Sequence, residues 1–511
     1  MNILKVSILL FTILFIGSCT ETKVEELKYI PTEIDIIPRP IIMEVADGFF
    51  EINSNTKIIG NSEMMNSINI LRAYLSKGLK ENIGDNGVGN TIIFLTDDEL
   101  NNDEAYRIEV GKDVLSIKAS SDKGAFYAIQ TLRQIIPAEM ENSTCKTNSL
   151  EVPYYKIYDS PRYEYRGFML DVARHFYTVA EVKRVIDLLT IYKINTLHMH
   201  LTDDQGWRIE IKSWPALTLY GSTSSVNSER HGFYTQDEFL EIQAYALKHH
   251  IELIPEIDMP GHTNAALASY PILNCNGEAP ELYTGVEVGF SSLCVAKDTT
   301  YAFINDVLRE IAAITTGRYI HIGGDESHST ATADYITFIN RVRKMVRDNG
   351  KEPIGWDEIA NAEIEEGAIV QYWGDVKNAQ LAAKKKARII MSPADRIYLD
   401  IKYNDSTKLG LKWAGFNDVK DAYDWKVDNL VEGVYGDMIM GIEAPLWTET
   451  ITSVDDIEYM MFPRIIGVAE IAWSDGGGRN WENYKVRLAK QKLRLEKLGV
   501  NFYKSDLVEW K

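Results

Sequence analysis

Four cysteines in 511 residues, none of them spaced as CxxC, leave this chain without a zinc-finger or zinc-ribbon pattern. Basic residues are also in short supply: 54 Lys and Arg against 74 Asp and Glu give a net charge of −20. Phosphate binding needs clustered Lys and Arg, so this balance argues against nucleic acid or an anionic membrane surface as the main partner. No short-period repeat and no low-complexity tract interrupts the chain, which excludes a solenoid. What is present is a chain 45% hydrophobic and 25% charged, long enough to bury a large core. By length it holds about two to four domains, or one barrel with a smaller companion.

The first residues read as an address. "MNILKVSILLFTILFIGSC", residues 1–19, puts Lys5 before an apolar run too short to span a bilayer comfortably, then small residues ahead of Cys19. The ending "IGSC" resembles a bacterial lipobox, which would make Cys19 the lipidated first residue of the mature protein. A signal peptide cut nearby and an anchor helix are the alternatives. Each exports the chain, to the periplasm, outer membrane or cell surface, with membrane contact only through the anchor. Residues 20–29 follow as a charged tether. In an oxidising compartment Cys275 and Cys294 can pair across a short loop, leaving Cys145 over. "NST" at Asn142 fits a glycosylation sequon, which means little in a bacterial source.

Two regions differ in rhythm. Residues 30–153 mix short strands with two helices: "TIIFLTD" and "YRIEVGKDVLSIKAS" are strand-like, the latter a hairpin turning at "GKD", and "GAFYAIQTLRQII" has helical spacing. This predicts a small α+β domain. Over residues 154–511 apolar runs alternate with helical patterns: "YRGFMLDVA", "INTLHMHLTD", "IELIPEIDMPG", "YIHIGGDE", "EPIGWDE", "AIVQYWG", "ARIIMSP" and "GIEAPLWTE". Eight such units predict an α/β fold of the TIM-barrel type, (β/α)8, with insertions.

In such a barrel the strands' C-terminal ends line the active-site face. Each run ends in acids, amides or tryptophan: Asp203 and Asp204, Glu256 and Asp258, Asp325 and Glu326, Asp357 and Glu358, Trp373, Trp447 and Glu449. They are expected to converge on one pocket, with capping or supporting work equally open for Asp204, Asp357 and Glu358.

"HIGGDESH", residues 321–328, holds two adjacent acids. Neighbouring side chains on a strand point to opposite faces, so Asp325 and Glu326 share a pocket only if the backbone leaves strand geometry, which Gly323 and Gly324 permit. Two close carboxylates repel, which raises one pKa and keeps one group available as an acid. Glycoside hydrolysis needs such an acid. Retaining glycosidases ordinarily set a second carboxylate across the sugar; consecutive residues approach from one side, which points to a nucleophile brought by the substrate, the carbonyl oxygen of a 2-acetamido sugar.

Together "RGFMLDVARHF", "HLTDDQGWRIEI", "EIDMPGH", "HIGGDE" and "EAPLWTE" resemble glycoside hydrolase family 20, the β-N-acetylhexosaminidases, over nearly the whole mature chain. The resemblance implies a retaining exo-enzyme that releases terminal β-linked GlcNAc or GalNAc through an oxazolinium, without cofactor or metal. It implies that Glu326 is the general acid and base and Asp325 the orienter of the acetamide. Arg174 and Glu449 would bind outer hydroxyls, while Asp203 and His262 would support the acid, with Asp258 orienting His262. Trp356, Trp373 and Trp447 would enclose the acetamide, joined by Tyr398 and Asp400 of "YLDIKY". The insertions "NGEAPELYTGVEVGFSS" and "AGFNDVKDAYDW" could shape outer subsites. A lacto-N-biosidase-like enzyme of the same framework and a non-catalytic exported glycan-binding protein stay open as alternatives. So does a metal hydrolase built on "HMH", His198 and His200, although strands five and six offer no further histidine. Oligomeric state is not legible.

Overall fold

The computed structural model describes residues 35–81, 83, 87–142 and 146–511. Cys19, the 1–19 leader, the 20–29 tether and Cys145 lie outside the described residues. Among the described residues no helix is long and apolar enough to cross a membrane.

The N-terminal region is a six-stranded sheet. Its strands are β1 (Ile42–Asn53), β2 (Lys57–Ile59), β3 (Thr91–Thr96), β4 (Tyr106–Val110), β5 (Val114–Ala119) and β6 (Ser149–Asp159), in the order β1-β6-β4-β5-β3-β2. The β4–β5 hairpin turns at Gly111, whose N–H donates to Val114 O at 2.9 Å. In β4 the residues Tyr106, Ile108 and Val110 alternate inward, the period a half-buried strand requires. Helices Met65–Gly78 and Asp122–Ile135 share the core with these strands; Ser121 caps the second by accepting from Lys123 N. β6 runs straight through residue 153, where the sequence was divided. Pro153 is tolerated there because it pairs beside the β1 bulge between Ala46 and Phe49, a position where a ladder donor is not needed.

The rest closes into a barrel of eight parallel strands. These are β7 (Tyr165–Asp171), β8 (Thr196–His200) and, past a short ribbon of β9 (Thr202–Asp203) and β10 (Gly206–Trp207), β11 (Glu252–Glu256), β12 (Tyr319–His321), β13 (Glu352–Trp356), β14 (Ile369–Tyr372), β15 (Arg388–Met391) and β16 (Ile439–Leu446). All eight fall within the predicted runs or begin just before them. Capping boxes start two of the outer helices, Thr178 with Glu181 for Val179–Ile191 and Thr235 with Glu238 for Gln236–Lys248. The unit after β13 departs from the pattern: only a 3-10 turn, Asp357–Asn361, forms, because the segment is short and Asp357 is engaged with the next loop.

The interior is layered. Tyr165, Ile254, Ile354, Ile369, Ile390 and Met440 make an apolar plug at the lower end. Met169, Trp356, Tyr398, Ile401 and Trp447 pack at the upper end. Between them lie His198, His200, Glu256, His321, Gln371 and Glu443, all buried. The small domain docks on the barrel through buried charge: Lys193 Nζ meets Asp159 Oδ2 at 2.9 Å, and Arg166 meets Glu104 at 2.7 Å.

Candidate active site

At the upper end the strand termini surround a cavity of about 370 Å³, a size suited to a small ligand. It is lined by Arg174, His262, Asp325, Glu326, Trp373, Tyr398, Asp400, Trp447 and Glu449, together with Val286, Val288, Leu411 and Trp413. A larger hollow of about 1100 Å³ lies at the other end, between the small domain and the strand starts. Arg388 and Glu164 pair on its lining, and the strand-end acids are elsewhere.

The backbone after β12 leaves strand geometry as the two glycines allow: Gly323 and Gly324 have φ of +64° and +99°, and Glu326 itself has φ +44°. Asp258 Oδ1 accepts from Gly324 N at 3.0 Å and Tyr335 OH donates to Gly324 O at 2.6 Å, which pins the turn. A left-handed conformation at a non-glycine residue is unfavourable unless its surroundings hold it. Here His328 N donates to Glu326 O at 2.6 Å. Both acids consequently reach the same pocket.

His262 Nε2 lies 3.5 Å from Glu326 Oε2 and 3.7 Å from Asp325 Oδ2. Its Nδ1 is 3.1 Å from Asp203 Oδ1. Asp203 also pairs with Arg174 at 2.8 Å and with His200 Nε2 at 2.9 Å. Asp258, expected to orient His262, holds the glycine turn through Oδ1, and the imidazole's Nδ1 is turned to Asp203 instead. Asp203 does not line the cavity but stands behind His262.

Burial pushes Asp325 well above the carboxylate range, and Asp258 adds to it, outweighing the opposing pull of His262. For Glu326 burial acts upward too, but the adjacent His262 imidazole, with Arg174 and His328 beyond, pulls harder, so its carboxyl lies below its ordinary value. Of the two acids it is therefore Asp325 whose proton affinity is raised, and not that of the expected acid. His262 is destabilised as a cation by burial, yet Asp203 and Asp325 more than compensate and raise it well above the usual imidazole range. Asp400 and Glu449 are both pushed up, chiefly by burial.

Several buried polar atoms on the pocket make no hydrogen bond: Asp325 Oδ1, both Asp400 carboxyl oxygens, Glu449 Oε2, Arg174 Nε and His262 Nε2. Buried polar groups are ordinarily paired, so a set of unpaired ones around one cavity is a set of receptors for a polar ligand. Aromatic rings supply the walls. Trp373 and Tyr398 are near-parallel at 6.5 Å between centroids, and Trp356 and Trp447 are 5.8 Å apart. Trp356 is a floor beneath the wall: it is 1% exposed and donates its indole N–H to Glu256.

Glu358, Asp357 and Asp204 divide as capping and supporting groups. Asp357 accepts from the N–H groups of Trp373, Gly374 and Asp375. Asp204 accepts from Asn264 N and Ser291 Oγ. Glu358 takes the Trp373 indole N–H at 3.2 Å. Of the rim residues, Val286 and Val288 lie in the insertion "NGEAPELYTGVEVGFSS" expected to shape outer subsites, whereas Leu411 and Trp413 fall just before "AGFNDVKDAYDW" in a loop with no period to read. Cys275 and Cys294 form a disulfide closing the loop that carries Val286 and Val288. Among the described residues four groups of buried acids and histidines could offer metal-ligand atoms within 4.8 Å of one another: His198, Glu256 and His321; His200, Glu256 and Asp258; Asp203, Asp204 and His262; Asp258, His262 and Asp325.

Eight parallel strands presenting paired acids beneath an aromatic-walled pocket define a barrel enzyme of the glycoside-cleaving class. Comparison with known proteins makes this specific. Residues 163–476 match the catalytic domain of glycosyl hydrolase family 20, and residues 33–160 match domain 2 of that family. The β-N-acetylhexosaminidase of Cellulomonas fimi is 37% identical over 489 residues, covering 94% of this chain and 97% of that protein. The family 20 β-N-acetylhexosaminidase of Streptomyces coelicolor A3(2) superposes with a TM-score of 0.91 at 44% identity, over 93% of this chain and 99% of that one. A mutant β-hexosaminidase of Streptomyces plicatus in complex with its product, GlcNAc, gives 0.90 at 45% identity, over 93% and 98%. This chain belongs to glycosyl hydrolase family 20 and is a glycoside hydrolase.

Proposed function

We propose that the enzyme is a retaining exo-β-N-acetylhexosaminidase that removes terminal β-linked GlcNAc or GalNAc, with the substrate's own acetamide as nucleophile. The observation that carries this reading is that Asp325 and Glu326 come off one turn and reach the pocket from one side. The other carboxyls on the pocket, Asp400 and Glu449, are pushed toward their protonated forms, which suits hydrogen bonding rather than attack on carbon.

In this mechanism the sugar's outer hydroxyls meet Arg174 and Glu449, and its acetamide is enclosed by Trp373, Trp447 and Tyr398 above Trp356. The acetamide N–H donates to Asp325. A carboxylate accepts that bond better than a neutral acid, so binding favours loss of the Asp325 proton. Glu326, alongside the same imidazole, is the group positioned to carry a proton to the leaving oxygen. The acetamide oxygen then attacks the anomeric carbon as the glycosidic bond breaks. The oxazolinium so formed is stabilised by Asp325, and water activated by Glu326 opens it with retention. Tyr398 aims the acetamide oxygen. The small pocket closed by aromatic walls supports release of a single terminal residue.

The test compares aryl β-GlcNAc with aryl β-glucoside, with and without a thiazoline mimic of the intermediate. Strong preference for the acetamido sugar and tight thiazoline inhibition are expected. Equal turnover of both sugars without inhibition would sink the mechanism. Glu326→Gln is expected to lose ~100- to ~10,000-fold on glycosides with poor leaving groups and much less on activated ones. Export as a lipoprotein acylated on Cys19 is a further part of this reading, supported by "IGSC" alone; labelling of the expressed protein with palmitate, abolished by Cys19→Ala, is the expected result.

A further inference from the structure

The histidines of "HMH" do not line the pocket. His198 and His200 point into the barrel and belong to a line of alternating carboxylates and imidazoles running up its interior. At the lower end Glu443 accepts from the Tyr165 hydroxyl and from Gln371 Nε2, the latter at 2.7 Å, and faces His198 Nδ1 at 2.9 Å. His198 Nε2 lies 3.1 Å from Glu256 Oε2, and that same oxygen is 2.5 Å from His200 Nδ1. His200 Nε2 is 2.9 Å from Asp203 Oδ2, and Asp203 leads through His262 to Glu326. Barrel interiors are ordinarily filled with branched aliphatic side chains. Buried ions are costly even when paired, several kcal/mol each before their partners offset it, so a polar layer through the middle of this core is not explained by stability.

We propose that Glu443, His198, Glu256 and His200 are positioning residues, a buried line that fixes the orientation and charge of Asp203 and, through His262, the proton affinity of Glu326. Asp203 divides its charge between two oxygens: Oδ2 serves Arg174 and His200, and Oδ1 serves His262. The more His200 neutralises Asp203, the less Asp203 holds the proton of His262. Glu256 keeps His200 cationic. If Glu256 becomes neutral, His200 gives up its charge, Asp203 holds the His262 proton more tightly, and the imidazolium beside Glu326 deepens its preference for the carboxylate. The acid then loses its proton at lower pH. The groups facing this line are Asp258 and His321 toward Glu256, Asp204 and Arg174 toward Asp203, and Asp325 and His328 toward His262 and Glu326.

This inference rests on Glu326 being the acid, so the test runs wild type, Glu326→Gln and Glu256→Gln together. Glu256→Gln keeps the shape and removes the charge. On glycosides with poor leaving groups kcat is expected to fall ~10- to ~100-fold, the usual range for an outer partner of a reacting group, with KM within about twofold. Activated aryl substrates should lose much less, and the basic limb of kcat/KM should move to lower pH. His200→Gln, which retains one amide donor without the charge, should shift the limb in the same direction and covers the case in which Glu256→Gln does not fold. An unshifted limb, or equal losses on both leaving groups with a lowered Tm, would reduce the line to a structural role and overturn the proposal. If wild type does not prefer the acetamido sugar, or Glu326→Gln shows no dependence on the leaving group, the acid assignment itself falls and takes this inference with it.

Discussion

Gly323 and Asp258 are so closely apposed that a Cβ on the glycine would lie 1.7 Å from the Asp258 carboxylate oxygen. The glycine also sits at φ +64°, where an L side chain is strained. Gly323→Ala should therefore push Asp258 off Gly324 N and move Asp325 and Glu326 from the pocket. We expect at least a ~100-fold loss in kcat/KM, since small displacements of reacting groups have that effect, and a destabilisation of about 2–4 kcal/mol. Thermal melts alongside initial rates check both; a fully active Ala variant would contradict the geometry.

The raised proton affinity of Asp325 has a consequence for stability. A carboxyl whose folded pKa exceeds its unfolded value binds more protons folded than unfolded, so stability falls as pH rises from its ordinary value of 3.8 toward the raised one. At neutral pH this position therefore costs stability, because the unfolded chain gives up a proton there more readily than the folded one. Asp325→Asn removes that cost, and should raise Tm at pH 7 while lowering activity by ~100-fold or more for want of a group to steer the acetamide. The gain in Tm should shrink as pH falls toward the unfolded value of 3.8, below which the wild-type carboxyl is protonated in both states. A melt series from pH 4 to pH 7 reads the sign directly.

The barrel and the acids could be read from the sequence because both are local signals. Runs such as "GIEAPLWTE" are mostly apolar before they end in a polar cluster, and the glycines before Asp325 announce a turn. What escaped is what depends on partners far along the chain. Asp258 and Asp203 both end strands, and only the closed barrel decides that Asp203 faces His262 while Asp258 meets Gly324 N. The "HMH" repeat places two histidines on one strand face, but their carboxylates come from other strands, Glu256 from the neighbouring β11 and Glu443 from β16, more than 50 and 240 residues along the chain. Trp413 lies in a loop without periodicity, one residue before the stretch "AGFNDVKDAYDW", so nothing local marked it as the rim.

The Cys275–Cys294 disulfide ties down the loop that brings Val286 and Val288 to the cavity. Gly289 of the same loop packs against His328 and the carbonyl of Glu326, with no room for a Cβ. Closing a loop of this size is worth about 3 kcal/mol in the chain-entropy model. Cys275→Ser with Cys294→Ser should lower stability by up to that amount in urea titration. Because Glu326 stays on its own turn, kcat should fall less than KM rises. Unchanged KM in the double variant would separate the loop from substrate binding.

At the interface between the small domain and the barrel, Lys193 Nζ lies 2.9 Å from Asp159 Oδ2 and 2.7 Å from Tyr106 OH, with both charged side chains fully buried. Trp473 donates its indole N–H to the same Asp159 oxygen and offers its ring to the Lys193 ammonium at 4.3 Å. Asp159 belongs to β6 of the small domain, whereas Lys193 and Trp473 come from the barrel, so the pair joins the two. Lys193→Met keeps the length of the side chain but leaves Asp159 ionised and short of its cation, which should destabilise the protein by about 3–5 kcal/mol. Adding Asp159→Asn removes the stranded charge while keeping an acceptor for Trp473 and Tyr106, so the double variant should regain part of that loss. Urea unfolding of the two variants measures it. A double variant no more stable than Lys193→Met alone would mean that the lysine contributes through packing on Trp473 rather than through its charge.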